Sequence, residues 1–244
     1  MRCTSVVAPA LLLAALTLDS CDRQPNRVGL DVGRHHLRLV VPVGWEHLDH
    51  GREQVFRNGE TELRLTDFGA ATPAALADEV RTARALWKGG RTPDALARIR
   101  TLDAPILRLT PPMERVDFWQ PFTERTHAGL ADDAALGEMF DAMIERADAL
   151  PQVPADPLAS WVLEQTDPHA AGMEIEHRDS LAINGTSWVR LATWSRVSHM
   201  SPRRTAFAIE NGGLLVLACE RGVIERTGGA FDSLLTSIEV LPNH

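Results

Sequence analysis

Tyrosine is absent from this 244-residue chain, and lysine nearly so: Lys88 stands alone among 25 basic residues, and the rest are arginines. Cysteine is scarce, at three, and no C-x-x-C pair occurs, which removes the usual redox and zinc spacings. Positive charge is in deficit. Lys and Arg total 25 against 33 Asp and Glu, a net charge of −8, and phosphate binding needs concentrated positive charge. Nucleic acid is therefore excluded as an expected partner. Catalytic signatures are missing too: there is no G-x-S-x-G, no S-x-x-K and no H-E-x-x-H. The Gly pairs at 89–90, 212–213 and 228–229 lack the flanking pattern of a phosphate-cradling loop. What remains, 44% hydrophobic and 24% charged, is the composition of a globular chain long enough for one large domain or two small ones.

The first residues read as an address. Met1 and Arg2 precede an apolar run from Val6 to Leu18, too short to span a bilayer core of about 30 Å and matching the h-region of a secretory signal. No later apolar run approaches a spanning length, so the remainder is expected to be soluble. The run ends in Leu18-Asp19-Ser20-Cys21, which resembles the lipobox of bacterial lipoproteins: Leu18 and Ser20 fit, while Asp19 replaces a small or apolar residue. The resemblance implies a signal peptide over 1–20 and lipidation of Cys21, with 21–32 a tether to a periplasm-facing membrane surface. Asp22 points to the inner membrane, with the outer left open. The ordinary alternative is a secreted protein with Cys21 a free thiol. Cys219, in the apolar run Leu214–Cys219, is expected to be a buried, inert thiol.

Along the mature chain, Leu37–Val41 reads as a strand stopped by Pro42, and Asn58-Gly59 as a type I′ turn between two strands. Thr72-Pro73 opens a helix carrying Leu76, Val80, Ala83 and Trp87, stopped at Gly89-Gly90. In the middle, Thr92-Pro93 opens another helix, Pro105–Leu109 reads as a short strand, and Pro111–Phe122 as an aromatic loop. Ala131–Ala149 is an amphipathic helix with an acidic outer face, and Leu158–Gln165 another expected helix. The chain then turns to strands: 174–183, a turn at Asn184-Gly185, a long strand 186–199, and a pair around Asn211-Gly212-Gly213. A closing helix carries Phe231, Leu234, Leu235 and Ile238. The fold class is α+β: a mainly antiparallel sheet flanked by helices, with a mostly helical insertion.

Pro42-Val43-Gly44-Trp45, then two strands and a helix, then Ile183-Asn184-Gly185 before a meander, and finally Phe231–Ile238, together resemble the Mog1/PsbP-like family. The likeness covers roughly 33–89 and 171–241. It implies domains over 33–89 and 171–244 interrupted by a helical insertion at 90–170, and mostly binding or accessory roles. It supplies no catalytic residues.

Three side-chain groups stand out. Alternation along 186–199 places Trp188, Arg190, Trp194 and Arg196 on one face and Val189, Leu191 and Val197 on the other. Trp and Arg are the residue types of interface hot spots, so this is either a binding face or, if a helix covers it, a second core. Phe118, Trp119 and Phe122 either meet a partner or bilayer, or pin the insertion to its host. His47 and His50 with Asp49 are the densest metal-capable cluster, on what reads as a polar loop. No metal or cofactor is expected. The leading expectation is a non-catalytic envelope lipoprotein that binds a protein partner, such as an immunity protein against a delivered toxin or an accessory subunit of an envelope complex. The alternatives are a lipid or small-ligand binder with a groove lined by Met139, Phe140 and Met143, and a metal-dependent hydrolase.

Overall fold

Four two-residue turns organise the strands, and each has a residue able to take positive φ. In the computed structural model, which describes residues 26–128, 133–153, 173–195, 203–221 and 224–242, Asn184 and Gly185 have φ of 49° and 88°. Asn211 and Gly212 have 49° and 73°. These are the paired positive values of a type I′ turn. Gly33-Arg34 joins β1 (Asn26–Val32) to β2 (His35–Val41). The turn expected at Asn58-Gly59 is displaced by one residue. Asn58 pairs with Thr61, so Gly59-Glu60 makes the corner between β4 (Glu53–Asn58) and β5 (Thr61–Ala70).

All strand pairs are antiparallel. A seven-stranded sheet runs β3 (Glu46–Asp49), β4, β5, β9 (Gly213–Arg221), β8 (Arg203–Glu210), β7 (Thr186–Ser195), β6 (Met173–Ile183). A three-stranded sheet runs β1, β2, β10 (Glu239–Leu241). Residues 26–32, expected as tether, are thus the strand β1, whose Val28, Leu30 and Val32 alternate with Arg27, Gly29 and Asp31.

The main core lies between these sheets and α7 (Ile224–Ser237). Leu37, Leu39 and Val41 of β2 meet Phe56, Leu63 and Leu65, then Leu215, Leu217 and the buried Cys219, with Phe231, Leu234 and Leu235 closing one end. The opposite face of the large sheet buries Leu191, Phe207, Leu214 and Val216.

A helical layer forms the second core. Thr72 caps α1 (Pro73–Lys88), its hydroxyl accepting from Ala75 N at 3.2 Å. Then follow α2 (Thr92–Arg100), α3 (Asp103–Leu109), a single turn α4 (Pro112–Glu114), a π-helical turn over Arg115–Trp119, α5 (Gln120–Ala128) and α6 (Asp133–Ala149). Leu76, Val80 and Ala83 of α1 pack with Ile99, Ile106, Trp119, Leu136, Phe140 and Met143. So α1 faces the same apolar layer as the helices of the insertion. The acidic face of α6 is partly engaged by α1, through Arg81–Asp148 at 2.6 Å and Arg84–Asp141 at 2.5 Å. Two expectations fail here. Residues 105–109 are helix rather than strand, because Pro105 sits in the first turn, where a missing N–H costs nothing. Residues 112–122 are helical rather than loop. The helix expected at 158–165 lies outside the described residues.

Candidate functional site

A cleft of about 420 Å³ opens where the β1–β2 turn, the start of β4, β5, α1 and α2 come together, and charged side chains dominate its lining. Arg34 comes from the turn, Arg52 from the approach to β4, Asp67 from β5, Glu79 from α1 and Arg98 from α2.

Asp67 is the anchor. It continues the inward face of Leu63 and Leu65 two residues further along β5, and its side chain is fully buried. Its Oδ2 accepts from Arg34 N at 3.0 Å and its Oδ1 from Gly69 N at 2.7 Å. Arg52 Nη2 lies 3.6 Å from Oδ2. His35, equally buried on β2, places Nε2 3.7 Å from Oδ1, an electrostatic contact too long for a hydrogen bond. Burial pushes this carboxyl up. The neighbouring His35, the Arg34 N–H and the Arg52 charge outweigh it and hold the group at about 2, against an ordinary 3.8. Gly33 is required beside it: φ is +58°, and a Cβ there would stand 2.0 Å from Asp67 Oδ2.

Glu79 carries the other negative charge and divides its oxygens between two arginines. Arg34 Nη2 donates to Oε1, while Arg98 Nε donates to Oε2 at 2.7 Å and Arg98 Nη2 lies 2.6 Å from that oxygen. Arg34 is held from behind by the second hairpin corner, since a Cβ on Gly213 would meet Arg34 Cδ at 2.5 Å and His35 Nε2 at 2.8 Å. Next to the cleft, Arg108 of α3 donates from Nη2 to Phe68 O at 2.6 Å and Ala70 O at 3.1 Å. Burial pulls it down to about 10, with Asp67 opposing and Arg52 assisting. It is charged at neutral pH.

The residues singled out from the sequence go elsewhere. Trp188 is fully buried in the core under α7, so the second-core alternative holds at this position. Arg190 is paired with two carboxylates, with Nε and Nη2 on Asp179 at 3.1 and 2.7 Å and Nη1 on Asp232 of α7 at 3.0 Å. Arg204 shares Asp232 at 3.1 Å. Trp194 lies on β7 opposite Glu174; Arg196 and Cys21 lie outside the described residues. Trp119 is fully buried, Phe118 packs edge-on to it and to Phe122, and Arg146 of α6 sits 5.0 Å above the Phe118 ring. These aromatics pin the insertion together. Met139, Phe140 and Met143 are buried in the same helical core. His47 is on a strand, β3, stacked on Phe56 at 5.1 Å and paired with Gln54 Oε1 at 2.6 Å. Among the described residues no three metal-capable groups converge.

No family model and no curated protein matches the chain. The solution structure of cyanobacterial PsbP (CyanoP) from Synechocystis sp. PCC 6803 is similar to it. Identity is 12% and the TM-score 0.38, over 92% of this chain and 99% of that one. This likeness transfers no site, ligand or partner, and the α+β class rests on the strands and helices themselves. Among the described residues, no helix is long and apolar enough to cross a membrane.

Proposed function

We propose that this chain is a lipid-anchored protein of the bacterial cell envelope that binds a protein partner and catalyses no reaction. The partner is either a delivered toxin that it neutralises as an immunity protein, or an envelope complex in which it is an accessory subunit. The observation that carries this reading is the chemistry of the cleft. Arg34 and Arg98 are paired with Glu79 and Arg52 with the buried Asp67, so the cleft presents oriented charges fixed by ion pairs. General acid–base catalysis works best with a group titrating near the operating pH, whereas fixed, oriented charges suit recognition. The lipobox-like Leu18–Cys21 supplies the anchor.

Two measurements test it. Replacement of Cys21 by serine is expected to abolish metabolic palmitate labelling and to move the protein from the membrane to the soluble fraction. Each buried lipid methylene contributes about 0.8 kcal/mol to anchoring, so losing the chains removes nearly all of it. Unchanged labelling would exclude lipidation at Cys21. Affinity capture with the full chain from detergent-solubilised envelopes is expected to return a partner whose retention falls with salt, given the net charge of −8. A secreted toxin in the eluate, or its gene beside this one, selects the immunity role; a resident complex selects the accessory role. An empty eluate across several detergents and salt concentrations would end the protein-binding reading.

A further inference from the structure

We infer that the Arg34–Arg52–Arg98 cleft is a binding site for a single carboxylate group. The inference stands on the geometry of the cleft and does not depend on the envelope reading.

Charge comes first. Three guanidinium groups line the cavity against two carboxylates, so the lining holds one positive charge in excess. This occurs in a chain whose net charge is −8. A monoanion balances the lining.

Donor capacity comes second. Asp67 Oδ2 already accepts from Arg34 N, and Arg52 Nη2 stands 3.6 Å away, beyond direct hydrogen-bonding distance. Among the described residues the Arg52 guanidinium, 44% exposed at the rim, has this ion pair and no direct hydrogen bond. Arg34 Nε is buried with no hydrogen-bond partner among the described residues. Arg98, 40% exposed, has its Nε and Nη2 turned to Glu79, leaving Nη1 for an incoming oxygen. Planar guanidinium groups fixed at their inner edges by Asp67 and Glu79 are pre-organised to take carboxylate oxygens at their outer edges.

Size comes third. About 420 Å³ falls within the range of small-ligand sites, and it also admits the terminal residue of a peptide. A free organic acid and the C-terminal carboxylate of a protein partner share the chemistry that the cleft reads.

The test uses N-acetylglycine as the carboxylate probe, N-acetylglycinamide as its uncharged twin, and inorganic phosphate, each titrated into ¹⁵N-labelled protein while the arginine Nε–H signals are followed. Saturable shifts confined to Arg34, Arg52 and Arg98 are expected with N-acetylglycine and not with the amide. Arg52→Gln is expected to weaken binding about tenfold, the worth of one charge-assisted hydrogen bond, in a protein that still folds. Arg98→Gln, which leaves Glu79 paired with Arg34, is expected to weaken it similarly. Arg91→Gln, an exposed residue paired with Asp94, should change nothing. Equal binding of the amide, tighter binding of phosphate than of N-acetylglycine, shifts spread alike over Arg91, or unchanged affinity in a folded Arg52→Gln protein would each overturn the inference. If saturating N-acetylglycine elutes a captured partner, the carboxylate belongs to that partner; if binding saturates and the partner stays, the carboxylate is a free acid. Loss of capture with intact N-acetylglycine binding would overturn the protein-binding proposal and leave this site standing.

Discussion

Asp67→Ala is expected to destabilise the protein by about 3–5 kcal/mol, read as a fall in the urea midpoint at pH 7. The magnitude follows from what the carboxylate holds. Without it, the amides of Arg34 and Gly69 lose their acceptor, Arg52 loses its counter-charge and His35 is left facing an apolar gap. Asp67→Asn keeps one acceptor and loses the charge, so it should fall between wild type and alanine. The pH dependence gives a second reading. A carboxyl lowered from 3.8 to about 2 contributes stability that is complete above the unfolded value. That contribution drains away as pH falls through the folded one. The stability difference between wild type and Asp67→Asn should therefore shrink by about 2 kcal/mol from pH 5 to pH 2. Other carboxylates titrate in the same window, which is why the difference between the two proteins is the quantity to follow. A difference that stays constant would show that the Asp67 charge contributes nothing to folding.

Trp188→Ala should cost a similar amount, about 3–5 kcal/mol, because it empties the space between β7 and α7. The indole is fully buried in the core cluster that also holds Phe231, Leu234 and Leu235. Among the described residues its Nε1–H has no acceptor, so Trp188→Phe removes an unsatisfied donor along with the volume and is expected to cost only about 1–2 kcal/mol. Chemical denaturation checks both variants. A loss below 1 kcal/mol for alanine would mean that α7 does not depend on this ring.

The same two residues show what could be read from sequence. Alternation along 186–195 assigned the faces of β7 correctly, with Trp188 and Arg190 opposite Val189 and Leu191. It could not say which face a distant helix would cover, since that is fixed by α7, some forty residues downstream. Helix caps and type I′ turns were legible at Thr72-Pro73, Asn184-Gly185 and Asn211-Gly212 because their causes are local. β1 escaped because, although Val28, Leu30 and Val32 alternate as in a strand, Asn26, Gly29 and Asp31 are residue types depleted from strands. The cleft was hidden for a different reason. Its residues come from five separate stretches between 34 and 98, and no spacing rule joins Arg34 to Glu79. One trace was visible: Asp67 falls on the apolar face of β5, as His35 does on β2, and a charged or polar residue at such a position needs a partner.

The sheet order carries a consequence for how the chain reaches this structure. β5 finds its second neighbour in β9, and β2 is completed by β10, so each sheet joins strands made early to strands made last. These pairings close loops of well over a hundred residues, and long loops make folding slow. Until residues beyond 213 are available, β2 and β5 each keep an open edge and the core between the two sheets is incomplete, although the helical core over 70–150 is already on the chain. The core between the sheets is thus expected to form only once synthesis is nearly complete, after the helical core has its whole sequence.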